Sequence, residues 1–560
     1  MERTTGGPTI LSYAPKYIFV TGGVVSGIGK GVTCASIGRI LKNRGLEVSI
    51  MKLDPYINVD PGTMNPAQHG EVFVTIDGAE TDLDLGHYER FIDVPLTQTS
   101  NITSGQVYEE VIKRERRGDF LGGTIQVIPH VTDAIKHRVK KIGAENGADV
   151  VIVEVGGTVG DIEGLPFLEA LRQLRREIGP ENVMYVHLTF LIHLGATGEL
   201  KTKPTQHSVA TLRSIGILPD IVACRTDFPF QPGTREKLAL FCDLEEEAVV
   251  ALESVANIYE IPVVLEEAGL GNLICHKLGI GDRPVNFDSW RDLLNQMSAA
   301  NLPLDIALVG KYVDSTDAYL SVEQALLHAG AHNGHRPKIR WINSECFDTS
   351  SAESLLAGVD GIIVPGGFGP RGIQGKIEAA KFARINSIPY LGLCLGLQTA
   401  VIEFARNVLG ITNADSVEFC PDTEEPVIWP MSDHYGAIDM GGTMRLGEQP
   451  CKLVSGTRAA AAYGTELVNE RHRHRMEFNN IYREQMTQAG MLLSGINPDK
   501  DLVEIIELRD HPWFVGVQFH PEFTSRPDDP HPLFNSFIKA CSMQRGEADR
   551  SIGMSHKSSV

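Results

Sequence analysis

Short apolar runs recur along this chain, and they constrain its fold more than any other feature. The runs are continuous rather than alternating, which is typical of strands covered on both faces of a parallel sheet. A helix-patterned stretch follows most of them, and this order predicts an α/β fold. The clearest runs are residues 17–20, 48–51, 150–153, 183–188 and 221–223.

The pattern restarts at residues 304–310, after a polar connector. A chain of 560 residues is too long for one core, so we expect two domains, each a mostly parallel sheet flanked by helices. The predicted parts are a flexible tail (1–14), a first domain (15–285), a linker (286–303), a second domain (304–545) and a flexible C-terminal tail (546–560).

Composition narrows the classes of function. No apolar run approaches the ~20 residues that span a bilayer, and the N-terminus has no apolar signal region, so we expect a cytoplasmic protein without a membrane segment. A net charge of −20 argues against nucleic-acid binding, so anionic ligands must meet local basic clusters. Nine scattered cysteines, with no Cys-x-x-Cys pair, indicate reduced thiols rather than disulfides or zinc ligands.

A phosphate loop opens the first domain. After the strand at 17–20 comes TGGVVSGIGKG, in which backbone N–H groups and a helix terminus face phosphate and Lys30 supplies a positive charge. Gly31 stands where a Ser or Thr usually binds magnesium, so the metal must be held mainly by other residues. Glu154, at a strand end, and Asp84, in an acidic loop, are candidates, because Mg²⁺ takes carboxylate oxygens. The alternatives are a salt bridge for Glu154 and a solvated acid for Asp84.

A second cationic loop covers residues 199–208, ELKTKPTQHS, just before a helix. Its lysines and hydroxyls suit a polyanion such as a triphosphate, although a solvated loop has the same composition. Two nucleotide-sized anion sites in one domain indicate phosphoryl transfer to a second substrate rather than hydrolysis alone.

The second domain contains a cysteine nucleophile elbow. In PYLGLCLGLQ, Cys394 has glycines two residues away on each side and stands where a strand turns into a helix, whose N-terminus favours the thiolate. A buried structural cysteine is the alternative. A strand at 514–519 ends in His520, which could take the thiol proton, and Glu522 could hold its tautomer. With the PGGFG turn at 365–369 as an oxyanion loop, the order of these motifs resembles a class I glutamine amidotransferase.

Five further motifs, in order, resemble the CTP synthase family: GGVVSGIGKG (22–31), DPYINVDPGTMNPAQHGEVFV (54–74), TDLDLGHYERF (81–91), EVGGTVGDIE (154–163) and KTKPTQHSV (201–209). The resemblance covers residues 15 to about 540. It implies a ligase in which ATP phosphorylates O4 of UTP. Ammonia from glutamine then passes through an internal channel and displaces the phosphate to give CTP.

The resemblance also implies the residues of the first domain that carry these steps. Lys30 and Lys52 would stabilise the transferring phosphoryl group, with Mg²⁺ held by Asp84 and Glu154. The ATP site would comprise Gly27, Ile28, Gly29, Lys30, Gly31 and Asp84. UTP and CTP would bind Ser26, Lys201, Thr202, Lys203, Pro204, Thr205, Gln206 and Lys237, with the CTP base near Asp161, Ile162 and Glu163.

In the glutaminase half, Cys394 would be the nucleophile, His520 the base and Glu522 its orienter. Glutamine would bind Gly367, Leu395, Gly396, Leu397, Gln398, Glu418 and Arg475, with the amides of Gly367 and Leu395 as the oxyanion hole. His69 resembles a histidine near the ammonia path. Arg475 closes the run RHRHR (471–475), whose other members we interpret as a solvated basic patch.

Family resemblance further implies inhibition by CTP, activation by GTP and a homotetramer, and it leaves filament formation open. Three alternatives remain: an amidotransferase with another acceptor, as in GMP synthetase, a non-catalytic ATPase switch, and a filament scaffold. The GMP synthetase loop Ser-Gly-Gly-x-Asp-Ser is absent, and Gly31 departs from the usual ATPase-switch loop. A scaffold would not require the catalytic residues that are present here.

Overall fold

A computed structural model describes residues 15–347, 352–430 and 444–557, with side chains as far as residue 546. The predicted N-terminal tail, 1–14, lies outside the described residues. The described residues form two compact units: the first lies within Met1–Asp60 and His87–Asp288, and the second within Pro61–Gly86 and Ser289–Val560.

The N-terminal half alternates strands and helices, as its apolar runs predict. Its strands are β1 Lys16–Gly22, β2 Val48–Asp54, β3 Phe73–Val74, β4 Glu80–Thr81, β5 Asn101–Thr103, β6 Val150–Val155, β7 Val183–Phe190, β8 Ile192–Leu194, β9 Glu199–Lys201, β10 Ile221–Thr226 and β11 Val249–Glu253. Its helices are α1 Lys30–Lys42, α2 Pro66–His69, α3 Asp84–Ile92, α4 Ser104–Arg117, α5 Thr132–Glu145, α6 Leu165–Ile178, α7 Lys203–Ser214, α8 Thr234–Cys242, α9 Ile261–Glu267, α10 Leu270–Leu278 and α11 Asp288–Ala299.

The C-terminal half has longer runs of consecutive strands. Its strands are β12 Leu302–Gly310, β13 His335–Asn343, β14 Gly361–Val364, β15 Tyr390–Leu393, β16 Ala414–Ser416, β17 Glu425–Pro430, β18 Arg445–Leu453, β19 Leu467–His474, β20 Met476–Phe478, β21 Met491–Ile496, β22 Val503–Leu508 and β23 Phe514–Val517. Its helices are α12 Leu320–His332, α13 Ala352–Leu356, α14 Ile373–Asn386, α15 Leu395–Asn407, α16 Arg458–Tyr463, α17 Arg483–Gln488 and α18 Pro532–Lys557.

The first unit is built on a seven-stranded sheet in the order β11-β10-β7-β1-β6-β2-β5. Every pairing in it is parallel, and the central strands are buried along almost their whole length. Because parallel strands end at the same edge of a sheet, the loops after β1, β2, β6 and β7 all leave from one edge. In an open parallel sheet, that edge is where ligands bind.

The second unit contains a nine-stranded sheet in the order β13-β12-β14-β15-β23-β22-β21-β18-β19. Pairings are parallel from β13 to β23 and antiparallel from β23 to β19. The α/β class is confirmed, and this second sheet is mixed because short connections between consecutive strands such as β21, β22 and β23 require antiparallel pairing. The elbow strand β15 and the strand before His520, β23, are direct neighbours.

Two segments are more regular than the sequence indicated. The predicted linker at 286–303 contains helix α11, which buries Trp290 and Leu293 one turn apart and so packs as part of the structure. Helix α18 continues past Gly546, where a flexible tail was predicted, because no proline interrupts residues 546–557 and each further residue adds a helical hydrogen bond. Within the described part of the chain, no helix combines the length and apolar character that a bilayer span requires.

Candidate active sites

Cys394 occupies a strained turn between β15 and α15. Its φ of 52° and ψ of −100° lie outside the regions that L-residues prefer. The turn is possible because its neighbours lack side chains: a Cβ on Gly396 would stand 2.1 Å from the Val364 carbonyl oxygen, and one on Gly392 would stand 2.7 Å from the Gly396 carbonyl carbon. The elbow geometry that the glycine spacing predicts is therefore present.

His520 and Glu522 form a buried pair beside this cysteine. Nδ1 of His520 lies 2.7 Å from Oε1 of Glu522, and the Nε2 atom, on the other side of the ring, has no hydrogen-bond partner in the described structure. Burial lowers the pKa of His520, but the negative charges of Glu522 and Cys394 outweigh it and raise the pKa to about 10. The imidazole is thus held as a cation beside Cys394.

The predicted oxyanion loop, residues 365–369, is held by two lysines that sequence reasoning missed. Lys376 Nζ donates to the carbonyls of Pro365 (2.7 Å) and Gly366 (3.3 Å), and Lys311 Nζ donates to those of Phe368 (2.7 Å) and Gly369 (2.6 Å). Burial lowers the pKa of Lys376 well below its usual value and that of Lys311 to about 8. These four hydrogen bonds hold the carbonyls of residues 365, 366, 368 and 369 on the lysine side of the loop.

A cavity of about 670 Å³ opens over these residues within the second unit. Cys394, His520 and Glu522 line one part of it, and residues 62–66 with Glu71 and Val72 line another. The segment from the N-terminal half is held in place by the Glu71 carboxylate, which accepts a hydrogen bond from the Ser321 amide at 2.9 Å at the start of α12. His69 ends α2 as an exposed residue and is not among the cavity's lining residues.

The interpretation of residues 471–474 as a solvated basic patch was wrong. These residues form the end of β19, and Arg471, His472 and His474 are at most 3% exposed. Arg471 donates to the Val74 carbonyl at 3.1 Å, and Arg473 donates to Glu80 at 2.8 Å. The run is buried because β19 pairs with β18 and is covered by residues 61–86, which are distant in sequence.

The predicted glutamine contacts fall into two groups. Leu395, Gly396, Leu397 and Gln398 form the buried first turn of α15. The backbone amides of the first three are suited to a ligand, whereas the Gln398 amide donates to the Cys394 carbonyl at 3.2 Å. Arg475 lines the cavity, and its guanidinium lies 5.5 Å from the Phe368 ring centre. Glu418 accepts from the Gly369 amide at 2.6 Å, and burial raises its pKa.

The phosphate loop in the first unit has the backbone that its glycines predict. Gly27 and Gly29 have φ values of 68° and 85°, Val24 has 78°, and Gly29 caps the start of α1. Ser26 and Gly27 are exposed, whereas Ile28 is buried. Lys30 Nζ donates to the Gly157 carbonyl at 2.8 Å, which brings together the loops after β1 and β6.

Glu154 lies at the centre of this sheet edge. It pairs in register with Val20 of β1 on one side and with Lys52 of β2 on the other, and it is 1% exposed. Tyr88 donates a hydrogen bond to its carboxylate, and Lys52 lies 3.8 Å from the Asp54 carboxylate. Asp84 is the first residue of α3 rather than part of a loop. No cluster of three or more metal-binding side chains occurs among the described residues.

The second cationic loop is partly helical. Lys201 ends β9 beside the Glu199 carboxylate, Thr202 caps α7, and Lys203, Pro204, Thr205 and Gln206 form its first turn. The side chains of Thr205 and Gln206 point into the unit, where Thr205 donates to Thr189 at 3.1 Å and Gln206 donates to Thr202 at 3.1 Å. The backbone amide of Thr205 is therefore the group suited to an anion, whereas the Gln206 amide donates to the Thr202 carbonyl at 3.1 Å. Lys237 is exposed on α8. The hydrogen bond from Lys201 lowers the pKa of Glu199, and the positive charge of Lys237 contributes to the same shift.

Asp161, Ile162 and Glu163 are exposed beyond β6, where Asp161 accepts from the Thr158 amide at 2.8 Å. Arg225 of β10 is a further residue that sequence reasoning missed, since a Cβ on Gly29 would lie 3.4 Å from its guanidinium. A single arginine at a strand end gives no signal in the sequence, and only the order of strands brings it to the phosphate loop.

Comparisons with known proteins cover both halves of the chain. Residues 16–280 match the family described as CTP synthase N-terminus, and residues 315–540 match glutamine amidotransferase class-I. A CTP synthase of Roseiflexus castenholzii is 62% identical over 96% of this chain and 97% of its own length. That of Herpetosiphon aurantiacus is 60% identical over 95% of this chain and 100% of its own.

Among solved structures, the glutaminase domain of Trypanosoma brucei CTPS with bound acivicin matches 43% of this chain and 94% of that chain, at 40% identity and a TM-score of 0.41. The family assignment does not depend on this last comparison, because the relatives span nearly the whole chain. This chain belongs to the CTP synthase family.

Proposed function

We propose that this chain aminates UTP to CTP, using ATP to activate the uracil and glutamine as the nitrogen donor. The family membership supports the overall reaction. The observation that supports the release of ammonia from glutamine and its onward transfer is the cavity in the second unit. This cavity is lined both by Cys394 and by residues 62–66 of the N-terminal half.

In the glutaminase step, Cys394 attacks the side-chain amide of glutamine, and the tetrahedral oxyanion is stabilised by the amides of Gly367 and Leu395. His520, held by Glu522 at 2.7 Å, then gives its proton to the departing ammonia. Water, activated by the same histidine, hydrolyses the thioester that remains on Cys394. Arg475 and Glu418 bind the carboxylate and the ammonium group of glutamine.

In the synthetase step, the phosphate loop binds ATP. The Lys30 ammonium group then exchanges its hydrogen bond to the Gly157 carbonyl for contacts with the phosphates. Lys52, in register with Glu154, faces the same sheet edge and stabilises the charge on the transferring group. Glu154 has the oxygen donor and the burial that suit Mg²⁺, and Asp84 remains a predicted second ligand on the resemblance alone. When bound, Mg²⁺ would neutralise the charge that develops on the phosphates.

The two steps are joined by ammonia. In water at neutral pH ammonia is mostly ammonium, which is no nucleophile, so a sheltered path preserves its reactivity. The cavity between Cys394 and residues 62–66 supports the first stretch of such a path, and the onward passage to UTP stays a prediction.

Regulation and assembly are proposed from the family alone. These are inhibition by CTP at the triphosphate site and near Asp161–Glu163, activation of the glutaminase by GTP, and a homotetramer. We propose a cytoplasmic location because the nine cysteines, all within the described residues, form no disulfide.

The test is an assay of purified protein with UTP, ATP and Mg²⁺, with either glutamine or ammonium chloride as the nitrogen source. We expect CTP from both. Cys394→Ala should lose the reaction with glutamine by at least ~10³-fold and keep the reaction with ammonia, because the nucleophile serves only one of them. Absence of a cytosine nucleotide with either nitrogen source would refute the proposed function, and equal loss of both reactions in the variant would refute the division of labour.

A further inference from the structure

A buried histidine in the first unit joins the phosphate loop to the second cationic loop. His187 lies in β7, in register with Thr21 of β1, and its side chain is fully buried. Its Nδ1 atom is 2.8 Å from the Thr21 hydroxyl, and its Nε2 atom is 2.9 Å from the Ser208 hydroxyl. Thr21 is the first residue of the phosphate loop, and Ser208 lies in α7, whose first turn carries the predicted UTP contacts.

The bridge is tightly packed against the phosphate loop itself. A Cβ on Gly23 would stand 1.7 Å from the Ser208 hydroxyl oxygen and 3.0 Å from Nε2 of His187. The Gly23 amide also donates to the Leu188 carbonyl, next to His187, at 2.9 Å. The loop backbone therefore rests directly on the imidazole and on α7, and neither can shift without moving the loop.

The ring is neutral. Burial, assisted by the positive charge of Lys30, lowers the pKa of His187 to about 3. A neutral imidazole has one N–H donor and one acceptor nitrogen, so one of the two hydroxyls accepts a hydrogen bond from the ring and the other donates to it. Both ring nitrogens and both hydroxyl oxygens therefore have a hydrogen-bond partner, which restricts their movement.

We propose that His187 is a positioning residue that sets the separation between the ATP loop and the UTP loop during phosphoryl transfer. The proposal rests on the proposed function, because it takes α7 as the start of the UTP site. His187 has no side-chain surface open to either nucleotide, so it acts only through Thr21, Gly23 and Ser208. Misplacing two reactants by ~1 Å costs on the order of 10²-fold in rate, so a loosened bridge lowers kcat more than it weakens the binding of either nucleotide alone.

The test separates these effects with ammonia as the nitrogen donor. Ser208→Ala breaks one side of the bridge, Thr21→Val breaks the other, and His187→Asn keeps an amide near the Nδ1 position. Ser214→Ala is the matched control, because Ser214 is an exposed residue of the same helix and its hydroxyl donates to the Thr211 carbonyl at 2.7 Å. Calorimetry gives the Kd of ATP and of UTP separately, and the assay gives kcat at saturation.

We expect kcat to fall about 10-fold in Ser208→Ala and in Thr21→Val and about 10²-fold in His187→Asn, with each Kd within about two-fold of wild type. The double variant Thr21→Val/Ser208→Ala should be no worse than His187→Asn, since one bridge is lost in each case. If His187→Asn does not fold, Ser208→Ala decides the outcome.

An unchanged kcat in Ser208→Ala would overturn the proposal. So would a loss of kcat matched by weaker binding of one nucleotide, because that result assigns Ser208 to a single site. A wild-type protein that makes no CTP from ammonia refutes the proposed function instead, so the two failures are distinguishable.

Discussion

Replacing Glu522 by glutamine tests the electrostatics of the glutaminase site most directly. The substitution keeps the shape of the side chain and an oxygen near His520 Nδ1, and it removes the negative charge. At ~1.4 kcal/mol per pKa unit, the rise of the His520 pKa from 6.5 to about 10 corresponds to about 5 kcal/mol in favour of the imidazolium.

Glu522 exerts the larger of the two charge effects that raise this pKa, so its removal costs a substantial part of that energy, on the order of 2.5 kcal/mol. We therefore expect kcat/KM for glutamine hydrolysis to fall about 10²-fold or more, with ammonia-dependent CTP synthesis unchanged. The alkaline limb of the pH profile should also move to lower pH, because burial then lowers the His520 pKa with less opposition.

The pH dependence of the unfolding free energy tests the effect of the Glu522 charge independently. A histidine whose pKa is raised on folding stabilises the folded state fully below the unfolded value, about pH 6.5, and this contribution is lost as the pH rises through about 10. The difference in unfolding free energy between wild type and Glu522→Gln should therefore shrink between these two pH values in urea titrations.

Glu470→Gln is the matched control. Glu470 forms a second buried pair, with His531 at 2.9 Å, in the same unit but outside the cavity lining. That variant should lose stability and keep glutaminase activity. Wild-type kcat/KM in Glu522→Gln, or an alkaline limb that does not move, would refute the reasoning.

Two further substitutions test the remaining sites. Glu154→Gln should raise the Mg²⁺ concentration for half-maximal ammonia-dependent synthesis at least ~10-fold, since a neutral amide is a weaker magnesium ligand. Glu169→Gln is the control, and a Mg²⁺ response of Glu154→Gln equal to that of the control and of wild type would mean that the metal lies elsewhere. Lys376→Met should lower kcat for glutamine hydrolysis about 10-fold with little change in KM, because the oxyanion loop loses the two hydrogen bonds at 2.7 and 3.3 Å. Lys381→Met on the same helix should have no effect. Equal rates for both lysine variants would contradict the role of Lys376 in holding the loop.

Patterns within a short stretch of sequence were reliable guides to local structure. The apolar runs identified the buried strands of the first sheet. The glycine spacing around Cys394 and Gly29 identified two turns whose geometry requires glycine residues. The RHRHR run shows the limit of such reasoning. Its composition is that of a solvated patch, yet residues 61–86 cover it, and no property of residues 471–474 themselves indicates that covering segment.

The sequence by itself determined the α/β class, the turn at Cys394, the phosphate-loop turn and the chemical types of the side chains at the strand ends. These features depend on neighbours a few residues apart in the chain. Only the tertiary structure decided which strands lie side by side. Sheet order brings His187 between Thr21 and Ser208, Arg225 to Gly29, and Lys311 and Lys376 to the oxyanion loop. Those contacts join residues up to 196 positions apart, as for Gly29 and Arg225, and the packing of whole sheets and helices, rather than any local preference, selects them.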